Sequence, residues 1–141
     1  MGKHGTRVLL LCLAAAAAGI ICLNHFGGAK TPQENHEIRL PDAATREAWL
    51  NLYGFAVTPI SEESPRMPSN YQTDAGKHWL ELQQMQGISP TAFAGRDAVR
   101  YVYHVDNVAA DTCFAELYLC GDRLAGAVIF DASTQEMMRV K

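Results

Sequence analysis

Residues 113–130, CFAELYLCGDRLAGAVIF, contain two apolar runs separated by Gly121-Asp122. A two-residue Gly-Asp step suits a tight antiparallel hairpin, because glycine readily takes the positive φ that such turns require. Closing the turn between Cys120 and Arg123 pairs Leu119 with Leu124, Leu117 with Gly126, Ala115 with Val128 and Cys113 with Phe130. At a period of two these residues share one face, as a buried face requires. Upstream, VRYVYHV at 99–105 alternates Val99, Tyr101, Tyr103 and Val105 against Arg100, Val102 and His104, and its first set joins that face.

Working outward, two helices are expected before these strands. Asp42 can cap one that runs to about Tyr53, with Ala44, Ala48, Trp49, Leu52 and Tyr53 as its apolar stripe and Gly54 just past its end. Ser69 or Asn70 can cap the second. Its stripe of Tyr71, Ala75, His78, Trp79, Leu82 and Met85 ends at Gly87. Between them, Phe55–Thr58 is a short strand stopped by Pro59, and SEESPRMP at 61–68, twice broken by proline, reads as a loop. The expected class is α+β: two helices over one face of a mainly antiparallel sheet, in the order α-β-α-β-β-β.

That register leaves a second face carrying Arg100, Val102, His104, Phe114, Glu116, Tyr118, Ala125, Ala127 and Ile129. It is too apolar for a fully solvated surface. Either the C-terminal Met137, Met138 and Val140 fold back over it, which is the plainer expectation, or it is a binding surface. On the second reading Val102, His104, Phe114, Glu116, Tyr118 and Ile129 are the binding residues.

At the other end of the chain, Lys3 and Arg7 precede an apolar run from Val8 to Leu23 and then Asn24-His25-Phe26. A positive segment followed by a hydrophobic one is an export element. The domain boundaries follow from it: 1–7 as a cytoplasmic n-region, 8–26 as a transmembrane or signal-anchor helix, 27–40 as a linker and 41–141 as an extracytoplasmic domain. The 16 residues from Val8 to Leu23 span about 24 Å as a helix, against about 30 Å of hydrocarbon. A retained single-pass anchor is favoured, with cleavage after Ala29 as the alternative. Ile21 before Cys22 argues against a lipoprotein, because a small residue is expected there.

The whole chain has 12 basic and 15 acidic residues; without Lys3 and Arg7 the exported part keeps 10 basic, a net of −5. Such a domain lacks the electrostatic footprint of a nucleic-acid binder or of a polybasic lipid patch. Only Cys113 and Cys120 lie in the domain, seven residues or roughly 23 Å apart on one strand and on opposite faces, so they cannot form a disulfide.

The chain resembles a family of small exported bacterial proteins of unassigned function. The likeness rests on Arg46-x-x-Trp49-Leu50-x-x-Tyr53-Gly54-Phe55-x-Val57 and Leu82-Gln83-x-x-Gln86-Gly87. It continues through Phe93-x-Gly95 and Arg100-Tyr101-x-Tyr103-x-Val105, and ends in Leu124-Ala125-Gly126-Ala127-Val128. It spans roughly residues 44–138. Where the family pattern carries a Gly-Gly-Asp step in the final hairpin, this chain has Ala125-Gly126-Ala127. The resemblance implies a membrane-associated or secreted domain and supplies no active site.

Residue chemistry adds little to that. Cys113 belongs to the buried face and His104 to the other, so they do not form a nucleophile–base pair. His78-x-x-Glu81 and His104-x-Asp106 each supply two ligand types, but zinc needs at least three protein ligands. Arg100, His104 and Glu116 fall together as a cross-strand polar cluster. There is no Gly-rich phosphate loop, no Gly-x-Ser-x-Gly and no His-Glu-x-x-His. No cofactor and no metal are implied. The expected function is a non-enzymatic interaction module, held at the membrane by residues 8–26 and binding an envelope protein partner. The alternative is a small envelope enzyme or ligand sensor using His104 and Glu116, with Cys120 as a further candidate.

Overall fold

The computed structural model describes residues 37–141; residues 1–36, and with them the anchor at 8–26 and most of the linker, lie outside the described part. Two helices and a five-stranded antiparallel sheet make an α+β domain. The elements are α1 (Ala43–Leu52), β1 (Val57–Glu63), α2 (Asp74–Met85), a one-turn 3-10 helix (Pro90–Phe93), β2 (Val99–Val105), β3 (Cys113–Cys120), β4 (Arg123–Asp131) and β5 (Glu136–Met138). The strands pair in sequence order from β1 to β5. The order α-β-α-β-β-β is therefore extended by a fifth short strand.

Local chemistry accounts for the helix boundaries. Asp42 accepts from the Thr45 amide at 2.8 Å while the Thr45 hydroxyl accepts from the Asp42 amide at 3.2 Å, a reciprocal N-terminal cap. Both helices end alike. Gly54 at φ 92° and Gly87 at φ 75° turn the chain, and the amides of Phe55 and Ile88 reach back to the carbonyls of Leu50 and Gln83. The second helix starts later than expected. Thr73, rather than Ser69 or Asn70, caps it through the Gly76 amide, and Tyr71 lies before the helix, stacked on Trp79.

The buried stripes differ from the expected ones as well. In α1 the sheet-facing positions are Arg46, Trp49, Leu50 and Tyr53, whereas Ala44, Ala48 and Leu52 are exposed. In α2 they are Trp79, Leu82, Gln83 and Gln86; Ala75, His78 and Met85 face solvent. Long polar side chains occupy buried positions in both helices, so a pattern of apolar residues alone points to the wrong rotation.

Pro59 does not stop β1. The strand runs through it, with a bulge at Ile60 that shifts pairing between Pro59 and Ser61. β1 is an edge strand, where a missing amide costs no ladder bond.

The hairpin turn is as expected, with Gly121 at φ 64°, but its register slips after one pair. Leu119 pairs with Leu124, then Ala125 bulges out and Tyr118 pairs with Gly126, Leu117 with Ala127 and Ala115 with Ile129. A bulge exchanges the faces of everything beyond it. Ala127 and Ile129 consequently enter the main core with Leu117, Ala115, Tyr103 and Val105, and Gly126 and Val128 move to the second face. Assigning Ala127 and Ile129 to the second face is corrected on this ground.

The helices also pack on opposite faces, not on one. Arg46 of α1 donates to the Tyr103 hydroxyl on the main-core face, and Trp79 of α2 meets Tyr118 edge-on at 5.6 Å on the second face. A smaller cluster of Met67, Phe93, Ala98, Cys120 and Ala125 gathers beside Trp79 and Tyr118. The C-terminal segment does not cover the second face. Glu136–Met138 extends the sheet beside β4, and Val140 enters the main core.

The outer edge of β4 is closed by three different devices. Near the turn, the Leu124 amide bonds to the Ile38 carbonyl and the Leu40 amide to the Asp122 carbonyl, so residues 38–40 lie along the strand. In the middle, the Gln83 side chain accepts from the Ala127 amide at 2.7 Å and the Gln86 amide donates to the Ala127 carbonyl at 3.0 Å. These two glutamines are fully buried and stand in for a missing strand. Farther along, β5 takes over.

Candidate functional site

The second face of β2 and β3 is organised as the alternation predicts: Arg100 lies opposite Tyr118, Val102 opposite Glu116 and His104 opposite Phe114. Val102, His104, Phe114 and Glu116 are half-buried and belong to neither core cluster. Tyr118 sits at the boundary, packed on the smaller cluster. Ile129 drops out of the set, being 1 % exposed inside the main core on the other face.

One end of this strip is a cavity of about 210 Å³ between Met67, Pro68, Tyr71, Trp79 and Tyr118. The Tyr71 hydroxyl is buried there without a partner among the described residues. Burial pushes the Tyr71 phenol up, and it pushes Tyr118 much further up, with nearby Glu116 adding to the effect.

The middle of the strip is charged. Arg100 donates to Glu63 and to Glu116, both at 2.8 Å, and the Tyr118 hydroxyl donates to the other Glu116 oxygen at 3.1 Å. Burial pulls the Arg100 guanidinium down, but the hydrogen bond and charge of Glu116 outweigh it and leave Arg100 more firmly protonated. The cross-strand cluster expected from sequence thus forms between Arg100 and Glu116, with Glu63 of β1 as a third member.

His104 is not part of that cluster. Its Nδ1 lies 2.7 Å from the Asp106 carboxylate and its Nε2 lies 3.2 Å from the Asp111 carbonyl, while Thr58 holds the second Asp106 oxygen at 2.7 Å. Both ring partners are pure acceptors, so only an imidazolium, with two N–H groups, satisfies both. The hydrogen bond to Asp106 raises the His104 pKa, and the same bond lowers that of Asp106. A ring bonded through both nitrogens has no lone pair free to take a proton, and it ties the 106–111 turn to β2.

The remaining candidates are placed plainly. Cys120 and Cys113 are buried free thiols whose pKa values burial raises, the reverse of an activated nucleophile. Cys113 faces the main core and Cys120 the smaller cluster, as the odd spacing predicts. His78 and Glu81 are both exposed on α2, and among the described residues no group of three or more His, Cys, Asp or Glu could hold a metal ion. Thr58 and Tyr71 are partners that sequence reasoning passed over. The His104-x-Asp106 spacing was a usable signal, whereas the strand partner Thr58 had none. Among the described residues no helix is long and apolar enough to cross a membrane. Comparison of the chain with protein-family models, curated proteins and solved structures finds no match.

Proposed function

We propose that this chain is a non-enzymatic interaction module, displayed outside the cytoplasm on an anchor formed by residues 8–26, whose second sheet face docks an envelope protein partner. One observation carries the reading: a strip running from Arg100 and Glu116 to Val102 and Phe114 lies outside both cores, and the Tyr71–Trp79 cavity, set on the smaller cluster, adjoins it through Tyr118. It pairs half-buried apolar side chains with a fixed cation and carboxylate, the mixture that gives a docking surface area and register together. The resemblance to exported bacterial domains and the Lys3–Arg7 export element support the location. The geometry does not favour the enzymatic alternative. His104 has both nitrogens engaged, Glu116 is bonded to Arg100 and Tyr118, and Cys120 is buried at the far end of the strand.

The test is a double substitution, Val102→Ser with Phe114→Ser, in the full-length protein. Partner recovery after crosslinking in intact cells should fall while thermal unfolding stays cooperative and close to that of the parent. Loss of the folded state would place these residues in the core and end this reading. Protease added outside intact cells should digest residues 41–141; protection there would contradict the proposed location.

A further inference from the structure

Among the described residues Arg46 is the only buried arginine, 8 % exposed. Arg39, Arg66, Arg100 and Arg123 each meet a carboxylate, but no carboxylate among the described residues lies within ion-pair distance of Arg46. Its Nε donates to the Tyr103 hydroxyl at 3.0 Å, and its guanidinium carbon sits 3.7 Å from the centre of the Tyr101 ring. Asp42, one turn back, is committed to the N-terminal cap and reaches Arg46 only through its charge, and the adjacent Glu47 makes no ion pair with it. The two Nη groups donate to no described residue.

A buried guanidinium without a carboxylate is costly unless something supplies one. Here it lines a cleft of about 410 Å³ between α1 and the β1–β2 ladder, whose wall also includes Tyr101, Tyr103, Ser61, Glu47 and Glu62. Pairing sets Glu62 opposite Tyr101, the ring beneath the guanidinium, so Glu62 stands at the same side of the sheet as Arg46. The ring plane and the tyrosine hydroxyl hold the guanidinium in one orientation, and its free edge offers two parallel donors, the geometry that takes a carboxylate bidentately. Two rim carboxylates disfavour a dianion and favour a ligand with a positive charge at its other end.

We propose that this cleft binds a small ligand carrying one carboxylate and one cationic group, the chemistry shared by free amino acids and amino-acid-like compounds. Arg46 takes the carboxylate through its Nη groups, and Glu62 and Glu47 face the cation. Arg46, Tyr101 and Tyr103 lie on the sheet face opposite the docking strip, the cleft meets that strip only at Val102, and the proposal does not rest on it.

The test follows the Arg46 Nε–H resonance of the isotope-labelled full-length protein. γ-Aminobutyrate, butyrate and butylamine are the probes. γ-Aminobutyrate should shift the resonance saturably, butyrate should need about fivefold more for the same shift, as a rim charge pair allows, and butylamine should leave it in place. Arg46→Gln should abolish the accompanying shifts of the Tyr101 and Tyr103 rings. Glu62→Gln, on an exposed edge strand that tolerates it, should narrow the gap between γ-aminobutyrate and butyrate, and adding Glu47→Gln should close it. The proposal is overturned if γ-aminobutyrate produces no saturable shift up to about 50 mM, an affinity too weak to count as a site. It is equally overturned if Glu62→Gln alone moves the Arg46 resonance without any probe, because Glu62 would then be the arginine's own counter-ion.

Discussion

The second face of the sheet is closed over β4, which presents Gly126 and Val128 there, and half-open over β2, which presents Arg100, Val102 and His104. Over β4, Gly126 leaves room for the Trp79 ring, a Cβ at that position falling 2.4 Å from it; Val128 is sealed, and Gln83 and Gln86 hold the strand edge. Over β2 and β3, Val102 and Phe114 are half-buried outside both clusters, and the polar groups between them bond to one another. The side chains presented and the covering element both differ. A helix of 12 residues covers one part of the sheet, and its cap at Thr73 fixes where it begins.

The contrast is sharpest where closure depends on single groups. Gln86→Leu should have the largest effect, because that side chain serves the Ala127 carbonyl and the amides of Val140 and Lys141. At ~1–3 kcal/mol for each buried backbone group left unpaired, the loss is about 3–5 kcal/mol, read as a fall in chemical-denaturation midpoint. A change below ~1 kcal/mol would show that water replaces the glutamine and that the edge is not held by it.

Next is Gly126→Ala. The added methyl meets a Trp79 ring already stacked on Tyr71 at 5.5 Å and wedged against Tyr118, so the ring cannot step aside freely. Destabilisation of about 1–3 kcal/mol is expected, with a lowered melting temperature and altered tryptophan fluorescence. Unchanged fluorescence would mean that Trp79 does not pack there.

A paired substitution sets the two halves of the face side by side. Tyr118→Ser, at the boundary where α2 packs through Trp79, should cost about 2 kcal/mol, and Phe114→Ser, on the half-open side, less than half of that. Equal costs in thermal unfolding would erase the distinction.

The smallest effect is the pH dependence around His104. Its folded pKa is raised above the ordinary 6.5, so its stabilising contribution is complete below 6.5 and is lost as pH rises through the folded value. Asp106 is lowered from 3.8, so its share is present above 3.8 and is lost as pH falls through its own folded value. Hydrogen exchange in the 106–111 turn should accelerate as pH climbs past the His104 pKa, beyond the ordinary base-catalysed trend, and His104→Asn should remove that excess.

Much of this was legible beforehand. β2 starts and stops at Val99 and Val105 as its alternation indicates, because aromatic and charged residues alternate there with period two. The glycine stops at Gly54 and Gly87 and the Gly121 turn follow from φ values that other residues resist. The faces of β2 and β3 follow in turn, and with them five of the six second-face residues singled out from sequence.

What stayed hidden has physical causes. Leu124 to Phe130 is apolar on both faces, so no alternation marks the bulge at Ala125, and Ile129 lands in the core. Gln83 and Gln86 look like solvent-facing residues because a side-chain amide that replaces a strand is polar by composition and buried by function. Arg46 is concealed for the same reason, its guanidinium seated over the Tyr101 ring. Pro59 reads as a strand breaker only if the strand is internal, and β1 is at the edge.

The central claim is that the half-open strip binds a partner and the sealed faces do not. Photo-crosslinking in intact cells tests it most directly, with a crosslinking residue placed at position 102 on the strip or at exposed Ala48 on α1. The account predicts one abundant adduct from position 102 and none from position 48. Equal labelling from both positions, or none from position 102 in a folded protein, would contradict it.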